Sequence, residues 1–119
     1  MYKRQREAYE KIGANYDDAC ARLMGEEMLA HFALKFLDDE SMDKLEAAMA
    51  AGDAESAFMA AHTLKDVSQN LGFDNLYEPA VVVTEALRGA DAVDGAREGM
   101  HALQQQYAAT MSALREAAE

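Results

Sequence analysis

The chain has 119 residues, 22 acidic against 11 basic, and a formal charge of −11. That length supports one hydrophobic core, and a composition that is 50% hydrophobic and 28% charged excludes a wholly disordered chain. The acidic balance argues against nucleic acid and anionic membrane as partners, since both require a basic surface.

Composition points to helix. Ala, Leu and Met are abundant, there is one Pro and no Trp, and β-branched residues are few. A single cysteine, Cys20, has no internal disulfide partner. It reads as a small buried filler, and the chain as a cytoplasmic protein of a reducing compartment. No apolar run reaches the about 18 residues that a membrane span needs. The basic start, MYKRQR, is followed by no apolar run, so it is not a secretory signal. It reads as a solvated helix turn.

In chain order, Tyr2 to Ile12 predicts a short helix ended near Gly13. Asn15 or Asp17 can cap a second segment running to Met24, with Gly25 as its stop. Glu26 to Leu37 follows, with Met28, Leu29, Phe32, Phe36 and Leu37 at helical spacing. Ser41 is an N-cap candidate for Met42 to Ala51. Gly52 breaks that helix, and Asp53 caps the next, from Ala54 to Leu71. Asp74 caps a helix reaching Arg88, with Pro79 as a possible kink. A last helix spans Asp94 to Ala117. Long amphipathic helices with short connections predict an all-α fold. Its centre is an up-and-down antiparallel four-helix bundle, with the short N-terminal helices packed on it. One domain covers residues 1–119.

The informative helix reads AESAFMAAHTLKDVSQNL, residues 54–71. At about 100° per residue, Ala57, Ala60, Ala61, Val67, Ser68 and Leu71 fall within roughly 60° of Leu64, a seam of small and apolar residues. His62 falls about 160° away, almost directly outward. Lys65, Asp66 and Gln69 share that outer side, as do Phe58 and Met59. Apolar side chains on an outward face imply a cover or a docking surface. An imidazole beside a fixed cation at i, i+3 suits transient attachment of a dianionic group.

AHTLKDVSQNLGF, residues 61–73, resembles the signature of histidine-containing phosphotransfer (HPt) domains, roughly A-H-x-L-K-G-x-x-x-x-L-G. Ala61, His62, Leu64, Lys65, Leu71 and Gly72 match it. Ala80, Val83, Ala86 and Arg88 occupy places where the next helix of that family keeps small or apolar residues and a terminal Arg. The resemblance extends over about Asp17 to Leu114.

The resemblance implies a phosphocarrier and not a self-sufficient enzyme. His62 is then the phosphoacceptor, and Lys65 offsets charge on the phosphoryl oxygens. The partners are receiver domains of response regulators or hybrid histidine kinases. The receiver brings Mg2+ and the aspartate, and this chain needs no cofactor or metal of its own and acts as a monomer. Phe58 and Met59 are docking candidates, with Met24 and Met28. Two positions depart from the family pattern. Asp66 replaces its Gly, one turn from His62, and adds a negative charge that predicts slower relay through repulsion. Thr84 stands where some members place a Gln or Glu facing the histidine, and its hydroxyl can donate one hydrogen bond there. An alternative is a phosphorylation-independent helical adaptor that retains docking alone.

Other motifs carry less. Glu98 and His101 form an E-x-x-H, but di-iron bundles need two such motifs and two more glutamates. Glu27 and His31 read as an exposed i, i+4 pair. Ser68 has no second histidine near it in sequence to form a hydrolase triad.

Overall fold

The computed structural model describes residues 2–118, so residues 1 and 119, the outer bounds of the expected domain, lie outside the described residues. Among the described residues there are seven α-helices and no strand. They are α1 (Lys3–Ile12), α2 (Tyr16–Leu23), α3 (Glu26–Phe36), α4 (Ser41–Ala51), α5 (Ala54–Asn70), α6 (Asp74–Leu87) and α7 (Arg97–Ala118), the last entered through a 3-10 turn at Asp94–Ala96. The molecule measures 47 × 24 × 20 Å, long in one direction as stacked helices require.

Local chemistry sets the helix boundaries. Asn15 Oδ1 accepts the Asp18 amide at 2.9 Å and opens α2. Asp53 opens α5, accepting the Ser56 amide at 3.1 Å and its hydroxyl at 2.7 Å. Three of the expected caps and stops are placed differently. Ser41 is not the cap of α4 but its first residue, buried, with its own amide donated to Asp39 at 3.0 Å. Asp74 likewise lies inside α6, with Phe73 in the capping position. Met24 takes a left-handed φ of 63°, closing α2 one residue early, because the Gly25 amide bonds back to the Cys20 carbonyl at 2.8 Å. Pro79 sits within α6 without ending it.

Consecutive helices from α4 to α7 pack on one another, α1 lies along α7, and α2 and α3 reach α5 and α7. The seam that α5 buries is Ala54, Ala57, Ala60, Ala61, Leu64 and Ser68. Such small side chains let neighbouring helices approach to the short end of the usual range of about 8–10 Å between axes.

The connection from α5 to α6 anchors the N-terminal helices. Tyr9 of α1 is fully buried and its hydroxyl donates to the Leu71 carbonyl at 2.6 Å. The Asn15 amide donates to the Gly72 carbonyl at 2.7 Å. Phe73 packs against Tyr9 and Phe36 at ring-centroid distances of 5.2 and 5.3 Å. Gly72 is held at φ +69°, and a Cβ there would lie 2.5 Å from the Asn15 carbonyl oxygen and 2.8 Å from Ala19 Cβ. Gly72→Ala therefore combines a left-handed penalty with a backbone clash. It is expected to cost about 2–4 kcal/mol in denaturant unfolding, with Gly52→Ala, at a similar φ but in open space, losing only the smaller left-handed share.

Candidate functional site

The burial pattern of α5 decides where its chemistry can lie. With the small seam consumed by packing, His62, Lys65, Asp66 and Gln69 are left on the other side of the helix. The His62 side chain is 43% exposed, which makes it a surface group held at one edge. Its Nδ1 lies 3.2 Å from Asp66 Oδ2. The other carboxylate oxygen, Oδ1, lies 3.9 Å from Lys65 Nζ. The Lys65 side chain is only 20% exposed, so its stem runs along the protein while its charge stays at the surface.

Phe58 lies one turn before His62, with its ring centroid 5.9 Å from the imidazole. Arg88, just beyond α6, places its guanidinium over the Phe58 ring at 5.2 Å. The guanidinium is itself fixed: Nε donates to Glu85 Oε2 at 2.9 Å and Nη2 to Oε1 at 3.1 Å. Those hydrogen bonds from Arg88 hold the Glu85 carboxyl below the usual carboxylate range, helped by the charges of Arg88 and Lys65. Lys65 and Asp66 thus lie beside the histidine, and the Arg88–Glu85 pair lies against Phe58, its aromatic neighbour. In a chain of net charge −11, this is a locally balanced patch.

Phe58 is half-buried under Arg88, whereas Met59 is exposed. Met24 and Met28 are also exposed. Their segment meets α5 around a cavity lined by Leu23, Phe32, Val67, Asn70 and Leu71, at the far end of the helix from Phe58 and Met59. Gln69 is exposed on the His62 side, two turns on, about 10 Å along the axis. The structure therefore brings Phe58, Lys65 and Asp66 to His62 and spreads the other named residues over a longer surface.

Thr84 is a correction on one point. It is fully buried, and its hydroxyl donates to the Ala80 carbonyl at 2.7 Å, so the hydrogen bond expected toward the histidine is spent within α6. The apolar stripe of α6 runs Leu76, Ala80, Val83, Leu87, and residue 84 falls inside it, where a hydroxyl must bond within its own helix. Ser68 is spent the same way, on the Leu64 carbonyl at 2.7 Å. Cys20 is a free, half-buried thiol beside Tyr16, pushed up mainly by burial. His31 lies edge-on to Phe32, and His101 is exposed on α7. Among the described residues no group of three or more His, Cys, Asp or Glu side chains is arranged to hold a metal ion.

The residue that sequence reasoning left out of the site is Glu85. Its signal was present as an i, i+3 Glu–Arg pair closing a helix, but the partner ring of Arg88 lies on a different helix and has no sequence signature.

A family model described as Hpt domain matches residues 38–117, a span that includes α4 to α6 and almost all of α7, together with the His62 patch. No curated protein and no solved structure matches significantly.

Because Thr84 is spent inside α6, Thr84→Val is expected to leave the reaction of His62 with an acylating reagent such as diethyl pyrocarbonate unchanged. Its stability should shift by no more than about 1 kcal/mol, the worth of one hydroxyl bond. A changed imidazole reactivity would place Thr84 back at the site.

Proposed function

The chain belongs to the Hpt domain family, and on that premise we propose that His62 carries a phosphoryl group between aspartates. It takes the group from the phosphoaspartate of a receiver domain, or from a hybrid kinase that carries one, and passes it to a response regulator. Hpt domains are phosphocarrier modules of histidine–aspartate signalling, not self-sufficient enzymes. The observation that carries the assignment to His62 is its half-exposed ring on the outer side of α5, beside a cation with a half-buried stem.

The chemistry asks little of the carrier. Phosphoryl transfer is mostly positioning plus electrostatic stabilisation. Lys65 offers a fixed positive charge to the moving phosphoryl oxygens. Phe58, clamped between His62 and Arg88, gives the ring a rigid neighbour. Met59 adds exposed apolar surface for docking, with Met24 and Met28 as a second contact further along and Gln69 between. The receiver brings Mg2+ and the reacting aspartate. The architecture that suits this is an antiparallel up-and-down bundle of α4–α7 with α1–α3 packed on it, all one domain. Its support is the short connections and the packing of each helix on the next. No helix among the described residues is long and apolar enough to cross a membrane. A cytoplasmic monomer, free of nucleic acid and membrane, completes the proposal.

The test is incubation with a receiver charged by acetyl phosphate, following acid-labile, base-stable label. His62→Gln is expected to abolish labelling with melting nearly unchanged, since a half-exposed side chain contributes little packing. His31→Gln and His101→Gln should label as the parent does. Label that survives His62→Gln overturns the assignment; a parent that binds a receiver yet takes no label favours the adaptor alternative.

Lys65→Ala is expected to slow transfer by roughly 1–2 kcal/mol of barrier, the range for a charge-assisted contact. Rapid-quench rates at two salt concentrations measure it, and a rate equal to the parent's would reduce Lys65 to a surface charge.

A further inference from the structure

A neutral imidazole has one N–H and one lone pair, and only the nitrogen with the lone pair is a nucleophile. Which nitrogen that is depends on what the other one touches. Here Nδ1 lies 3.2 Å from a carboxylate oxygen of Asp66, on the next turn of the same helix. A carboxylate only accepts, so contact with it favours the tautomer that carries the proton on Nδ1 and leaves the lone pair on Nε2. The Asp66 carboxylate is itself held from its other side, with Oδ1 3.9 Å from Lys65 Nζ.

We infer that Asp66 is a positioning residue for the phosphoacceptor: it fixes His62 as the Nδ1–H tautomer, selects Nε2 as the phosphorylated nitrogen, and stabilises the ring as it becomes positive. The inference rests on the reading of His62 as the phosphoacceptor. In the transfer, the Nε2 lone pair forms the N–P bond while the P–O bond to the receiver's aspartate breaks, and that carboxylate leaves with the electron pair. The Nδ1 proton stays in place. The ring then carries a positive charge beside the dianionic phosphoryl group, so total charge is conserved. That positive charge develops against the Asp66 oxygen, the arrangement in which an aspartate stabilises an imidazolium in other catalytic sites. In onward transfer the same contact keeps the ring protonated on Nδ1, the form in which it leaves phosphorus readily.

Repulsion acts in the opposite direction but over a longer distance. The phosphoryl group attaches across the ring from Nδ1, whereas the carboxylate touches Nδ1 itself. Lys65, against the far oxygen, offsets part of the remaining negative charge. The nearer, attractive contact outweighs the farther, repulsive one, so removing Asp66 slows the transfer that repulsion alone predicts it should speed.

The experiment uses the full chain labelled with 15N in histidine, at a pH where the 15N shifts themselves show the ring to be neutral. Parent His62 is expected to show a protonated Nδ1 and an unprotonated Nε2. Asp66→Ala should move it toward the Nε2–H form. The transfer rate from a phosphorylated receiver should fall roughly three- to five-fold in Asp66→Ala, the scale of one half-exposed charge contact. Asp66→Asn keeps an acceptor oxygen without the charge, and should retain more of the Nδ1–H form and a rate between the two. An Nε2–H tautomer in the parent overturns the inference, as does an Asp66→Ala rate equal to or above the parent's. Failure of the underlying reading is separate and visible elsewhere, as label that persists in His62→Gln.

Discussion

The corner at Leu71, Gly72 and Phe73 is the constraint on which the rest depends. The three residues between α5 and α6 receive a hydroxyl from α1, an amide from the turn before α2, and aromatic rings from α1 and α3. Burial, above all, raises the Tyr9 hydroxyl well above its ordinary range, so it stays a donor to the Leu71 carbonyl at any physiological pH. Only a residue without Cβ permits the approach of the Asn15 carbonyl to residue 72. The consequence for the site is stiffness. The end of the helix that carries His62 is fixed by α1–α3, segments that lie before the span matched to the family.

This divides the motif of residues 61–73 by physical role. Ala61 and Leu64 are fully buried and set how closely neighbouring helices approach. Leu71 and Gly72 shape the corner. His62 and Lys65 are left as the pair whose position no packing requirement explains. A structural bundle with this backbone has no need of an imidazole on that turn, so the burden of explaining His62 falls on chemistry.

Much of this was legible in the sequence because helical periodicity reports faces. The seam of α5 and the outward direction of His62 follow from a rotation of about 100° per residue, and the breaks at Gly13, Gly52 and Gly72 follow from their freedom at positive φ. What periodicity does not report is where a side-chain atom ends. Asp66 was legible as a charge one turn from His62, but not as a carboxylate against Nδ1, and the sign of its effect turns on that distance. The Thr84 hydrogen bond was misassigned for a related reason: a hydroxyl on a helix has its own i−4 carbonyl within reach, and a buried stripe makes it take that partner. Ser41 lost its capping role because the acidic residues before it offered a better acceptor for the first free amide.

The site that results lies at the surface of α5, with the imidazole 43% exposed. The partners of His62 are one turn away on α5, the Arg88–Glu85 pair lies at the end of α6, and together they form a balanced patch instead of an enclosed pocket. Such a surface holds no small substrate by itself, since burying a ligand requires a concavity lined on several sides. It suits a partner that brings the concave half of the active site. On the proposed reading, Lys65 and the Phe58–Arg88 pair offer fixed points for docking, and Asp66, against Nδ1, leaves Nε2 as the reacting nitrogen. A helix with one oriented imidazole is, on that reading, sufficient machinery for a carrier. The acidic balance of the chain, net charge −11, limits which partners can approach the site, because a partner whose own reacting pocket is acidic meets favourable charge there at Lys65 and Arg88.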